Sequence, residues 1–161
     1  MTTVRVVGRI FINFRALDEP GFAALLQREL SRAFGSNEVF YAGVTIRPGD
    51  DFQVRLLEGV RRAAVLLAVI GSRWLTTPHA SGGRAIDRET DWIRREIAEA
   101  FASGVRVIPI LIDDTDLLTE APLPADISAL SRCQFLRLRH NDLEHDLARI
   151  VDSLRDVLGG P

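Results

Sequence analysis

The sequence predicts an α/β protein, a flavodoxin-like doubly wound parallel sheet of five strands in the order 2-1-3-4-5. Two observations carry this. Apolar strand-like runs alternate with amphipathic stretches of helical spacing, the pattern of a parallel sheet with helical crossovers. The run 65–70, Val-Leu-Leu-Ala-Val-Ile, holds no polar side chain, as expected of a central strand buried on both faces.

The elements follow in order. Residues 9–13 form the first strand. A helix over 20–34 carries Phe22, Leu25, Leu26, Leu30 and Ala33 at helical spacing, with Asp18 and Gly35 as caps. A short strand over 38–41 leads into a loop over 42–50, punctuated by Gly43, Pro48 and Gly49. The next helix spans 51–62 and the buried strand 65–70. Residues 71–90 form a long irregular connection containing Trp74. A helix starting at 91 follows, then a buried strand over 105–112. Pro109 removes a ladder donor there, so a bulge or an unpaired edge is expected. An acidic loop leads to a short helix near 126–130, a last strand over 134–138, and a closing helix over 143–158 with Leu147, Ile150, Val151 and Leu154 inward. Residues 1–158 are read as one domain and 159–161 as a tail or the start of a linker.

At 161 residues the chain can bury a sizeable core. A formal net charge of −2, with basic residues scattered, gives no electrostatic case for nucleic acid. No run reaches membrane-span length, and the N-terminus lacks a signal peptide's layout, so a cytoplasmic protein is expected. A lone cysteine, Cys133, excludes an internal disulfide and a cysteine-based zinc site. The acids Asp113, Asp114 and Asp116 read as a solvated turn, and His79, His140 and His145 show no metal or triad spacing; no metal is expected.

The helix beginning at Asp91 holds the residue that needs explaining. At roughly 100° per residue, Trp92, Ile93, Ile97, Ala100 and Phe101 fill one apolar arc. Glu96 falls inside that arc. A carboxylate in place of a hydrophobe costs free energy unless something pairs with it or uses it. Two readings stand: a boundary residue reaching solvent or an arginine such as Arg73 or Arg84, and a functional acid. In this sheet order, ligands bind beyond the strand ends at the switch point between strands one and three, where Asn13, Phe14, Arg15 and Gly71 emerge. Asn13 and Gly71 are not the acids a phospho-acceptor receiver requires, and the 14–17 stretch cannot form a flavodoxin phosphate loop.

In order and spacing, five boxes resemble a Toll/interleukin-1 receptor (TIR) domain of the bacterial type. They are Phe11-Ile12-Asn13-Phe14-Arg15-Ala16, Val39-Phe40 with the BB-loop stretch from Ile46 to Phe52, the strand and turn from Val65 to Trp74, the Trp-x-x-x-Glu helix Trp92–Glu96, and the strand Val107–Ile112 with its proline. The resemblance covers nearly the whole chain. Departures are Phe14 for the usual tyrosine, Ala16 for a frequent second arginine, and Tyr41-Ala42 where an aspartate commonly follows the second strand.

Members with this helix include enzymes that cleave NAD⁺ at the nicotinamide–ribose bond, and the resemblance places their catalytic role on Glu96. It implies nicotinamide and ADP-ribose or a cyclic isomer as products, with NAD⁺ as substrate and no further cofactor. It also implies activation by self-assembly with other TIR domains, under a fused or separate sensor, in an immune or antiphage-type response. The chemistry suits a carboxylate: a pyridinium leaves as a neutral group, and positive charge develops on the ribose. Glu96 can stabilise that charge, hold the ribose hydroxyls or attack as nucleophile. Arg15 is the candidate for the pyrophosphate, or alternatively a surface ion pair. Phe14 and Trp74 are candidate walls and Trp92 a ribose or nicotinamide contact, the two tryptophans being otherwise core or rim. Ile46, Gly49 and Phe52 line or gate the cleft. The rival readings are a non-enzymatic TIR adaptor and a nucleoside deoxyribosyltransferase-like enzyme.

Overall fold

The computed structural model describes residues 9–42, 47–116 and 122–159. The elements are β1 (Ile10–Phe14), α1 (Pro20–Phe34), β2 (Val39–Phe40), α2 (Phe52–Arg62), β3 (Val65–Ile70), α3 (Trp92–Ala102), β4 (Arg106–Ile112), β5 (Leu136–Leu138) and α4 (Leu143–Leu158). Short 3-10 segments lie at Ser36–Glu38, Ala85–Asp87 and Ala125–Arg132. All pairings are parallel in the order β2-β1-β3-β4-β5. This is the architecture the sequence predicts.

Strand alternation divides the core in two. Leu66, Ala68 and Ile70 face α2 and α3, packing with Phe11, Phe40, Leu56, Val60, Ile97 and Ala100. Val65, Leu67 and Val69 face α1 and α4, packing with Ile10, Ile12, Leu26, Leu30, Ile150 and Leu154. Every β3 residue is buried, so its wholly apolar sequence follows from its central place. Gly59 sits in α2 because a Cβ there would come within 2.6 Å of the Phe40 ring.

Pro109 sits in register on β3, opposite Ala68, with Ile108 and Ile110 paired to either side. No bulge forms. β5 pairs with β4 only from Ile110 onward, which leaves the proline at an unpaired edge on that side. Two outer strands are shorter than expected. Glu38 belongs to the 3-10 segment before β2, and β5 begins only at Leu136. The side chains of Asp51 and Asp91 cap α2 and α3, accepting from Val54 N at 3.1 Å and Arg94 N at 3.2 Å. α1 ends at Gly35 as expected.

Asp18 corrects one expectation. The N-cap of α1 is Glu19, with no side-chain cap bond and Pro20 at the first turn. The Asp18 carboxylate instead accepts from Gly71 N at 2.7 Å and Arg73 N at 2.8 Å, tying the β1–α1 turn to the end of β3. A Cβ on Gly71 would meet Glu19 Cγ at 2.3 Å and Asp18 Oδ1 at 2.8 Å. Because its own amide pins Asp18, that carboxylate cannot step aside. Gly71→Ala is therefore expected to destabilise the fold by about 1–3 kcal/mol in urea unfolding; an unchanged midpoint would show that the turn yields freely. Among the described residues no helix is long and apolar enough to cross a membrane.

Candidate active site

The site is assembled where the end of β1 meets α3. Because strand side chains alternate, Asn13 and Arg15 point toward α3, where Asn13 meets Ile93 and Glu96 and Arg15 meets Asp91. Phe14 points to the other face, packed in the α1 and α4 layer and stacked on Tyr41 with ring centroids 5.3 Å apart.

Glu96 is only 6% exposed, one turn after Trp92 on the buried side of α3. Among the described residues it has no basic partner, and its one hydrogen bond comes from neutral Asn13, whose Nδ2 donates to Glu96 Oε1 at 3.0 Å and to the Ile93 carbonyl at 3.2 Å. Burial is the main reason its carboxyl is pushed up to about 8; the Asn13 bond opposes that rise and the Asp91 charge adds to it. At neutral pH the group is mostly a neutral acid. The arginines considered as partners are elsewhere: Arg84 binds Asp87 and the Pro122 carbonyl, and Arg73 is exposed. Arg94 and Arg95 are also occupied, by Asp126 and the Trp92 ring.

Arg15 is not a free anion receptor. Its two terminal nitrogens donate to the two oxygens of Asp91 at 2.9 and 2.8 Å, the pair being almost wholly buried. Asp91 thus caps α3 and anchors it to β1, and the guanidinium fork expected for a pyrophosphate is already occupied. It is not a surface ion pair either. Removing one member of a buried pair strands the other's charge. Arg15→Leu is expected to cost about 3 kcal/mol in urea unfolding, with part of that recovered in the double variant Arg15→Leu/Asp91→Asn. Equal losses in the single and double variants would rule out the pairing as the cause.

The remaining expected residues divide. Trp74 is fully buried, its ring 5.9 Å from the Arg15 guanidinium, so it supports the site from inside the core rather than walling a cleft. Trp92 is half-buried: Arg95 lies 4.1 Å over its ring and Phe52 meets it edge-on at 5.8 Å. Phe52 and Trp92 therefore stand together at the outer end of α3, with Phe52 half-exposed. Gly49 lies in an exposed turn at φ 91°, where glycine suits the backbone. Ile46 lies outside the described residues. Asn13, which the sequence places at the switch point without a role, is the partner of Glu96 that sequence reasoning missed; its place two residues before Arg15 on an alternating strand is the available signal. Among the described residues, three buried polar atoms here have no partner within the protein: Asn13 Oδ1, Arg15 Nε and Trp74 Nε1. Away from the site, His140 pairs with Asp113 at 2.7 Å, joining the ends of β4 and β5. Among the described residues no three His, Cys, Asp or Glu side chains converge as a metal would require.

Comparison with known proteins bears on this geometry. The family model for the TIR domain matches residues 10–151. Among solved structures, the TIR domains of the activated Roq1 resistosome, which directly recognises the pathogen effector XopQ, superpose with a TM-score of 0.65 at 15% identity, covering 90% of this chain and 98% of that one. The TIR domain of the Toll-related receptor TRR-2 from Hydra magnipapillata gives 0.60 at 15% identity, covering 93% and 98%. At that identity the likeness is one of fold. No match was found among curated proteins.

Proposed function

Because the chain belongs to the TIR-domain family, we propose that it is an NAD⁺ glycohydrolase of the bacterial Trp-x-x-x-Glu type, with Glu96 as its catalytic residue. One observation carries the reading: a buried carboxyl on α3 that, among the described residues, has no basic partner and is held by a neutral amide alone. A structural carboxylate at such depth would be paired. An unpaired one favours a cation brought to it.

NAD⁺ supplies that cation twice, as the pyridinium in the ground state and as the ribose oxocarbenium when the C–N bond breaks. Nicotinamide departs with the bonding pair and needs no proton. Water adds to the anomeric carbon and releases one proton, giving ADP-ribose; attack by an adenine nitrogen or a ribose hydroxyl of the substrate itself, with loss of the same proton, gives a cyclic isomer instead. Glu96 meets the developing charge as a carboxylate, its proton having been displaced by the approaching pyridinium. Trp92 and Phe52 shape the outer end of the site, and Arg15 holds α3 in place through Asp91. Activation by assembly with further TIR domains, under a sensor in an immune or antiphage-type response, belongs to the same proposal.

A second reading, a non-catalytic adaptor, draws on the exposed hydrophobics Leu17, Phe52 and Val54, which suit protein contacts. The deciding experiment clusters the protein artificially and follows nicotinamide release from NAD⁺. Turnover supports the enzyme. Clustered protein with no turnover leaves the adaptor, and nucleoside base exchange without NAD⁺ cleavage points to a deoxyribosyltransferase.

A further inference from the structure

Asn13 is fully buried and spans two elements: its single Nδ2 serves both the Ile93 carbonyl and Glu96 Oε1, one turn apart on α3. The two bonds fix the end of β1 against the helix and hold one carboxyl oxygen of Glu96. Among the described residues the other oxygen, Oε2, has no hydrogen-bond partner. The carboxyl is thus held asymmetrically, with one oxygen tethered and one not. We propose that Asn13 is a positioning residue that fixes which oxygen of Glu96 meets the ligand and keeps that carboxyl ionisable. A neutral donor is the chemistry this requires. A lysine or arginine at position 13 would neutralise Glu96 permanently, and an apolar residue would leave the acid without any bond to its charged form.

The charged groups around Glu96 leave Asn13 as its one bonded polar neighbour. Asp91, one turn earlier, is a like charge already engaged by Arg15. Arg94 is held by Asp126, Arg95 lies over Trp92, and the Arg61–Glu99 ion pair sits further along the helix. β3 contributes no polar side chain.

The inference rests on the glycohydrolase reading only for its kinetic arm. Its direct test is the titration of the Glu96 carboxyl by NMR in the full chain labelled with ¹³C at glutamate carboxyls, with Glu96→Gln to assign the signal. Asn13→Leu, which keeps the branched outline and removes the donor, is expected to raise the midpoint by about 1–2 units, the worth of one hydrogen bond to a charged group. Asn13→Asp is expected to raise it further, because two adjacent carboxyls then share one proton. Asn13→Ala, which only removes atoms, takes the place of Leu if that variant does not fold.

In the clustered enzyme, Asn13→Leu is expected to lower kcat/KM about 10–100-fold at pH 7, with a smaller change in kcat and a deficit that narrows as pH rises. Unshifted midpoints in these variants, or a wild-type kcat/KM at pH 7, would overturn the assignment. A shifted titration in a chain that releases no nicotinamide keeps the tether and removes the NAD⁺ reading alone. Intact release with an unshifted titration does the reverse.

Discussion

Glu96→Gln is expected to make the folded protein more stable, by about 3 kcal/mol at pH 7. The argument is one of proton linkage. The carboxyl titrates at 4.5 when solvated and at about 8 in the fold. Between those values the folded state holds a proton that the unfolded chain has given up, so folding must take one up from solution. The sign is the reverse of a salt-bridged carboxylate, whose folded value is depressed. Stability is highest below pH 4.5 as far as this group is concerned, falls as pH rises through the window from 4.5 to 8, and levels off above it. Glutamine keeps the shape and the acceptor for Asn13 Nδ2 without titrating, so the variant's stability should lack that slope. For a chain of 161 residues the gain at pH 7 corresponds to roughly 6–12 °C in Tm. Urea unfolding of both proteins at pH 5 and pH 8 checks this. Equal slopes would mean that Glu96 is solvated in the native state.

The same substitution is expected to remove catalysis. Loss of a preorganised group at a developing charge lowers kcat by about 10²–10³-fold, and an amide can neither neutralise an oxocarbenium nor act as nucleophile, so the fall in nicotinamide release should be at least that large. Stabilised and inactive is the informative combination, because a gain in stability excludes misfolding as the cause of lost turnover. Turnover surviving in the more stable variant would take Glu96 out of the mechanism.

The fold was legible because its signals are local or periodic. An unbroken apolar run marked β3, helical spacing marked α1 and α4, and aspartates marked the starts of α2 and α3. Glu96 was legible for the same reason, since a polar residue on an apolar arc is visible on a wheel. What escaped was the side-chain pairings made across distant segments. Asp18 looks like a helix cap in sequence but its carboxylate reaches residues 71 and 73. Arg15 reads as an open cation, whereas its partner Asp91 is 76 residues away. Asn13 reads as the absence of an acid and proves to be the hydrogen-bond partner of Glu96. The resemblance puts Phe14 and Arg15 in one site, yet neighbours on a strand face opposite ways, and the period-two rule separates them.

The most direct measurement is the pH dependence of kcat/KM for nicotinamide release by the clustered protein. This quantity reports the free enzyme's ionisation. If the Glu96 carboxylate is the active form, activity should rise with pH to a midpoint near 8, the value burial imposes on that side chain, with the kcat midpoint lower because bound pyridinium favours the anion. A profile that is flat between pH 6 and 9, or one that has already risen by pH 5, would contradict the account.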